Sequence, residues 1–216
     1  MTDPRAQTPA GFSLALHDKT VGRILQRMQA TRDLPPHEET DYPDPHSFPE
    51  FGFSIDDTQG NFIYLLCRAI GARRAVDFAT SIGVSAIYMA AAMRDNGGGL
   101  VTGAELVEAK HAHALVNLRD AGLEAFTDIR LGDARETLAD LEGPLDFILI
   151  DGWPIDQPRS LAREIIELLT PKLRKGAVVI NDNGEDDYLT FVRHPGNGFM
   201  SCRLPLNRGT ELSVKL

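Results

Sequence analysis

The sequence predicts an α/β fold: a doubly wound sheet of five parallel strands, closed by a C-terminal antiparallel β-hairpin and preceded by N-terminal helices. Three observations carry that prediction. From residue 73 onward, short apolar runs alternate with helical segments of ten or more residues, the pattern of βαβ units. Several runs, such as Leu145 to Ile150, are continuously apolar, as in strands covered on both faces. The chain then changes character: the strand-like runs Gly198 to Pro205 and Gly209 to Leu216 are joined only by Asn207-Arg208-Gly209. That connection is too short for a crossover, so the pair is antiparallel.

Met1 to Gly11 is polar and reads as a loosely attached terminus. Leu14 to Met28 carries Leu14, Val21, Ile24, Leu25 and Met28 at near-helical spacing. Leu34 to Pro49, rich in proline and acids, excludes a regular element and reads as a surface loop or lid. Asp56 to Ile70 is a second helix, with Ser54 or Asp56 as candidate cap and Gly71 as its stop. The parallel strands are expected at Ala75 to Phe78, Leu100 to Ala104, Phe126 to Leu131, Leu145 to Ile150 and Gly176 to Ile180. The helices between them are expected at Val84 to Met93, Glu108 to Ala121, Ala134 to Leu141 and Arg159 to Leu173. A short helix, Asp186 to Val192, precedes the hairpin. Residues 1–53 form an N-terminal helix and loop, and 54–216 the main domain, within one globular unit.

Hydrophobic content is 43% and charged content 25%, ordinary for a soluble globular protein. The net charge of −9 and the lack of a Lys/Arg cluster argue against a nucleic-acid partner. No run of 18 apolar residues is present, so no membrane span is expected, and the polar N-terminus gives a cytoplasmic expectation. Cys67 and Cys202 are far apart and read as ordinary buried thiols. His111 and His113 are expected to face solvent on their helix. A homodimer through the N-terminal helices is the candidate assembly, and no sequence signature marks it.

The chemistry concentrates at the carboxyl ends of the strands, where ligands of open α/β sheets bind. Asp77, Glu105, Asp151 and Asp182 each lie within or just beyond such an end, and Asp133 follows the third strand by two residues. Any one of these acids alone is more simply a turn or cap residue. Five on one rim repel one another and so call for a cation or a polar ligand. Glu105, ending the second strand, can accept both ribose hydroxyls of a nucleoside. The first turn, Asp77-Phe-Ala-Thr-Ser-Ile-Gly83, is strand, tight turn and helix start, but it is not G-x-G-x-x-G. Its acid would sit beside a pyrophosphate, which disfavours a nicotinamide dinucleotide and an oxidoreductase.

These residues resemble the class I S-adenosylmethionine-dependent methyltransferases, in particular the catechol O-methyltransferase-like (bacterial O-methyltransferase) group, over roughly residues 54 to 216. Asp77-x-Ala-x-x-x-Gly83 looks like that family's acid-x-Gly-x-x-x-Gly loop, Val101-Thr-Gly-Ala-Glu105 like its ribose-binding strand, and Leu131-Gly-Asp-Ala134 like its adenine-contacting segment. The resemblance implies S-adenosylmethionine as cofactor. Asp77, Ala79 and Gly83 would then lie beside its methionine part, Ser85 would hydrogen-bond its carboxylate, Glu105 its ribose, and Asp133 with Ala134 its adenine edge. Asp151 is a further candidate cofactor-binding residue. The metal-dependent branch implies further that Asp151, Asp182 and Asn183 bind Mg²⁺, which would lower the pKa of an acceptor hydroxyl on a small molecule.

Two positions depart from the family. Ala79 stands where the first loop glycine is expected, and Pro154 stands where the resembled enzymes carry a general-base lysine. Asp151 and Asp156 are the candidate catalytic residues; His46 in the proline-rich loop, or the cation alone, is the alternative. Trp153 is a candidate pocket wall, and more simply a packing residue. The competing function is a methyltransferase-fold binding protein without turnover, or a metal-independent enzyme lacking the lysine.

Overall fold

The computed structural model describes residues 16–30, 45–49, 51–152, 159–206 and 209–216. The expectations for Met1 to Gly11, most of Leu34 to Pro49, Trp153, Pro154, Asp156 and the Asn207-Arg208 turn lie outside the described residues. Helix α1 spans Lys19–Ala30 and starts later than its apolar spacing suggests. Asp18 sets the start, because its carboxylate accepts the Thr20 N–H at 2.8 Å and the Val21 N–H at 3.2 Å. A single 3₁₀ turn, Pro45–Ser47, lies in the stretch expected to be irregular. Helix α2, Asp57–Ala69, is capped by Asp56, whose side chain accepts from Gln59 N at 2.8 Å.

The sheet contains β1 (Arg74–Phe78), β2 (Leu100–Glu105), β3 (Thr127–Leu131), β4 (Leu145–Ile150), β5 (Leu173–Asn181), β6 (Phe199–Leu204) and β7 (Thr210–Lys215). Their order is β3-β2-β1-β4-β5-β7-β6. The first five are parallel, while β7 runs antiparallel to both β5 and β6. The last strand is thus inserted beside β5, with the hairpin's first strand outside it. β5 is longer than its apolar run because its ladder to β4 is interrupted between the Leu145 and Phe147 pairs, which accommodates Gly176. The order reverses between β1 and β4, so the rim above those two strands is the switch point at which such sheets bind ligands.

Helices α3 (Val84–Asp95), α4 (Glu108–Asp120), α5 (Ala134–Thr137), α6 (Leu161–Leu169) and α7 (Asp186–Arg193) complete the fold. α6 is shorter than expected: Ser160 caps it through the Arg163 N–H, and Pro171 turns its end into a 3₁₀ turn, Thr170–Lys172. α3 is buried along its whole first ten residues, Val84 to Met93. It lies between the sheet and the N-terminal helices, and one core joins Val21, Ile24 and Leu25 of α1, Ile63 and Cys67 of α2, and Ile87 and Met89 of α3. A second core on the opposite face joins Val76, Ile148 and Val179 of the sheet to Ile165 and Ile166 of α6 and Tyr188 and Val192 of α7. No helix among the described residues is long and apolar enough to cross a membrane.

Two expectations are corrected. Cys67 is buried, but Cys202 is exposed, because Arg203 and Cys202 fall where β6 is an edge strand. His111 is half-buried and its Nε2 lies 2.9 Å from the Ile129 carbonyl, tying α4 to β3; His113 is exposed as expected.

The α2–α3 contact gives a stability prediction. A Cβ added to Gly60 would lie 2.2 Å from Cε2 of Tyr88. That ring is fully buried and its hydroxyl donates to Asp57 at 2.9 Å, so it cannot swing aside. Alanine's helix propensity would favour Gly60→Ala by about 1 kcal/mol. Overpacking costs about 1–3 kcal/mol or more, and a clash this deep lies at the upper end. Thermal denaturation of Gly60→Ala should therefore show a midpoint several degrees below wild type, against the propensity.

Candidate functional site

The site is built at the carboxyl rim of β1, β2, β4 and β5. After β1 the chain turns through Ala79 and Ser81, both with positive φ (64° and 52°), into Gly83 with φ 94°. Left-handed backbone costs a non-glycine residue about 1–2 kcal/mol, so the loop is held against its preference. The restraint comes from β2. Glu105 is 5% exposed and its carboxylate accepts the Ser81 N–H at 2.7 Å and the Val107 N–H at 2.8 Å. Thr80 is pinned by its N–H to the Ala104 carbonyl at 3.1 Å. Gly83 is required twice over: its φ is left-handed, and a Cβ there would sit 3.3 Å from the Ala114 backbone of α4. α3 consequently begins without a side-chain cap, its first N–H groups facing the rim.

Asp77 is fully buried beneath this loop, and the Ser85 hydroxyl lies 3.0 and 2.9 Å from its two oxygens. Burial pushes its carboxyl up to about 7; the Ser85 and Thr80 hydrogen bonds oppose the rise, and the charge of Glu105 adds to it. Ser85 thus donates to Asp77 in this structure rather than toward a ligand. Asp133 caps α5 through the Arg135 N–H and pairs with the Arg135 guanidinium. That pairing and the backbone hydrogen bond outweigh desolvation and hold its carboxyl below the usual range. Ala134 is buried behind it.

At the other end of the rim, the Asp182 N–H donates to the Ile150 carbonyl at 3.0 Å, which places Asp182 beside Asp151. Asp182 is 6% exposed; its Oδ1 accepts from Gln59 Nε2 of α2 and from Thr210 Oγ1 of β7. Asn183 donates Nδ2 to the Gly152 carbonyl at 2.7 Å, so its amide oxygen is the atom it could offer to a cation. Asp151 is half-buried. Two carboxylates and an amide oxygen are hard donors suited to Mg²⁺, and outer hydrogen bonds such as those from Gln59 and Thr210 are what orients a ligating carboxylate. The three residues fit such an ion, although no group of three His, Cys, Asp or Glu that could hold a metal occurs among the described residues. Asn181 and Glu185 organise the β5–α7 turn, with Asn181 Nδ2 donating to Glu185 and Gly184 N to Asn181. Asp187, in the first turn of α7, accepts from the N–H and hydroxyl of Ser160 and so ties α7 to the start of α6.

The structure therefore gathers Asp77, Ala79, Gly83, Ser85 and Glu105 around one loop, and Asp151, Asp182 and Asn183 at the neighbouring strand ends. Asp156 lies outside the described residues. Gln59, Lys110 and Thr210 also belong to the rim and are absent from the sequence reading. Their only sequence signal is a polar residue at a position that the helix or strand buries.

A family model described as a methyltransferase domain matches residues 78–184. Catechol O-methyltransferase of Mycobacterium tuberculosis is 35% identical over 132 residues, covering 60% of this chain and 56% of the relative. Catechol O-methyltransferase of Niastella koreensis is 33% identical over 137 residues, covering 60% and 58%. The chain thus spans little more than half the length of these curated relatives. Among solved structures, an O-methyltransferase from Bacillus cereus in complex with S-adenosylhomocysteine aligns over 94% of this chain and 93% of its own, with TM-score 0.68 and 23% identity. The O-methyltransferase TomG from Streptomyces achromogenes, in complex with S-adenosylmethionine, aligns over 94% and 92%, with TM-score 0.63 and 23% identity. At such identities the structural likeness is one of fold, and it is the same fold whose loop and acid ladder are described above. With the sequence matches over the same segment, the chain carries a stretch similar to a methyltransferase domain, and it is similar there to the catechol O-methyltransferases.

Proposed function

We propose that the chain transfers a methyl group from S-adenosylmethionine to a hydroxyl oxygen of a small molecule. The observation that carries this reading is the strained Ala79–Gly83 loop locked by the buried Glu105 carboxylate, at the sheet's switch point. S-adenosylmethionine, when bound, would supply an electrophilic sulfonium methyl to the acceptor oxygen, the products being the methyl ether, S-adenosylhomocysteine and the hydroxyl's proton. The protein's part is to bind and orient. Glu105 takes the ribose hydroxyls, Asp133 and Ala134 border the adenine, and Asp77 with the α3 N-terminus faces the charged methionine end. Asp151, at the end of β4, would act beside the reacting centre, and Asp156 is the second candidate catalytic residue from the sequence. Holding both reactants in a near-attack arrangement supplies most of the acceleration expected of such a site.

Asp151, Asp182 and Asn183 would hold a divalent cation, which would lower the pKa of the acceptor hydroxyl. The test is transfer of labelled methyl from S-adenosylmethionine to a catechol, with Mg²⁺ and with a chelator. Label should reach the catechol and fall at least tenfold on chelation. Asp182→Ala should abolish the metal-dependent part while S-adenosylhomocysteine binds with wild-type affinity. Tight S-adenosylhomocysteine binding with no transfer to any hydroxyl acceptor would favour a binding protein instead.

A further inference from the structure

Lys110 lies in the first turn of α4, shortly after the β2 end that carries Glu105. It is 4% exposed, and its ammonium sits 5.2 Å from the centroid of the Phe53 ring. It has no hydrogen bond or ion pair with any described residue. Three effects disfavour a lysine there. Burial strips its hydration, which lowers its pKa against the opposing pull of Glu105. The helix N-terminus presents the positive end of its dipole. Its three N–H donors have no acceptor among the described residues. Elsewhere the fold satisfies its partly buried lysines: Lys172 Nζ lies 2.7 Å from the Ala139 carbonyl and Lys215 Nζ 3.1 Å from that of Gly198. Lys110 is set apart by facing Glu105 and the ring of Phe53 instead of a carbonyl.

The ligand that completes this arrangement must satisfy an acid and an ammonium side by side. A phosphate would meet the charge of Glu105. A neutral hydroxyl meets both, because it donates its proton to the carboxylate and accepts from the ammonium on the same oxygen. We propose that Lys110 is a cofactor-binding residue that, with Glu105, clamps a ribose hydroxyl of the bound nucleoside, Phe53 walling the pair. This assignment rests on the cofactor site proposed above. It gives the site selectivity for a ribonucleoside over its deoxy analogues.

The test is calorimetric titration of wild type, Lys110→Met and Lys110→Gln with S-adenosylhomocysteine and with its 2′-deoxy and 3′-deoxy analogues. Lys110→Met keeps the stem's length and removes the charge. Both variants should bind S-adenosylhomocysteine about tenfold or more weakly, the scale of one charge-assisted hydrogen bond. For at least one deoxy analogue, wild type and variants should bind equally weakly, which locates the contact on that hydroxyl. Thermal midpoints of the unliganded variants should equal or exceed wild type, since a buried ammonium without a hydrogen-bond acceptor among the described residues has been removed. A wild type that binds S-adenosylhomocysteine alongside variants of unchanged affinity overturns this assignment alone. An equal loss for S-adenosylhomocysteine and both deoxy analogues also overturns it. A wild type that does not bind removes the cofactor site and this assignment together.

Discussion

Glu105→Ala is expected to weaken S-adenosylhomocysteine binding by about 100-fold or more and to lower the thermal midpoint of the unliganded protein. Two charge-assisted hydrogen bonds to the ribose are worth about 1.5–3 kcal/mol each. At about 1.4 kcal/mol per tenfold, their sum reaches at least two orders of magnitude. The stability effect is separate and comes from the fold itself. The carboxylate accepts the N–H groups of Ser81 and Val107, and Ser81 sits at a φ of 52°. Removing the acceptor orphans both donors and releases a loop that is strained without it. Glu105→Gln is not a conservative change here. Each carboxylate oxygen faces a backbone donor, so the amide NH₂ must point at one of them. Calorimetry and thermal denaturation on Ala and Gln variants check both statements. A Gln variant with wild-type affinity and midpoint would show that the two N–H contacts do not define the site.

Asp77→Asn is expected to stabilise the protein at pH 8 while weakening cofactor binding there. Burial raises this carboxyl from its ordinary 3.8 to about 7. A raised acid contributes to stability while protonated, and that contribution is lost as pH climbs from the ordinary value through about 7. At about 1.4 kcal/mol per pH unit, the full cost is of the order of 4 kcal/mol above neutrality. Asparagine keeps an oxygen for the Ser85 hydroxyl and carries no charge, so the stability gap in its favour should widen between pH 4 and pH 8. Affinity should move the opposite way. At pH 8 the wild-type carboxylate would face the cationic methionine end of the proposed cofactor and the variant would carry no such charge, so the variant should bind about tenfold more weakly, the scale of one buried charge-assisted contact. Near pH 5 the wild-type acid must lose a proton to gain the same contact, and the two affinities should converge. Parallel denaturation and titration series across pH measure both gaps; pH-independent gaps would mean that Asp77 is an ordinary ionised acid.

Strand positions were the most legible part of the sequence, because apolar runs covered on both faces need no knowledge of their partners. β4 falls at Leu145–Ile150 in both sequence and structure. Element ends were less legible, since they depend on which polar side chain reaches a backbone N–H: Asp18 for α1, Ser160 for α6. The insertion of β7 between β5 and β6 left no trace either, because a hairpin has the same local pattern whichever strand docks first. At the site, Glu105 and Asp77 were readable as acids on strand ends. What they bind inside the protein was not: the Ser81 N–H and the Ser85 hydroxyl are brought to them by a left-handed turn that Ala79 and Ser81 do not advertise. Gln59 reaches Asp182 across 123 positions of sequence. Lys110 reads as one more charge on a polar helix until its burial is known.

The central claim is that the Asp77–Ser85 loop and Glu105 form a nucleoside site. Calorimetric titration of S-adenosylhomocysteine into the wild-type protein, with Mg²⁺ and again with a chelator, tests it most directly. The account predicts saturable one-to-one binding of equal affinity in both conditions, because the loop, Asp77 and Glu105 need no cation to meet the cofactor. No binding in either condition would contradict it.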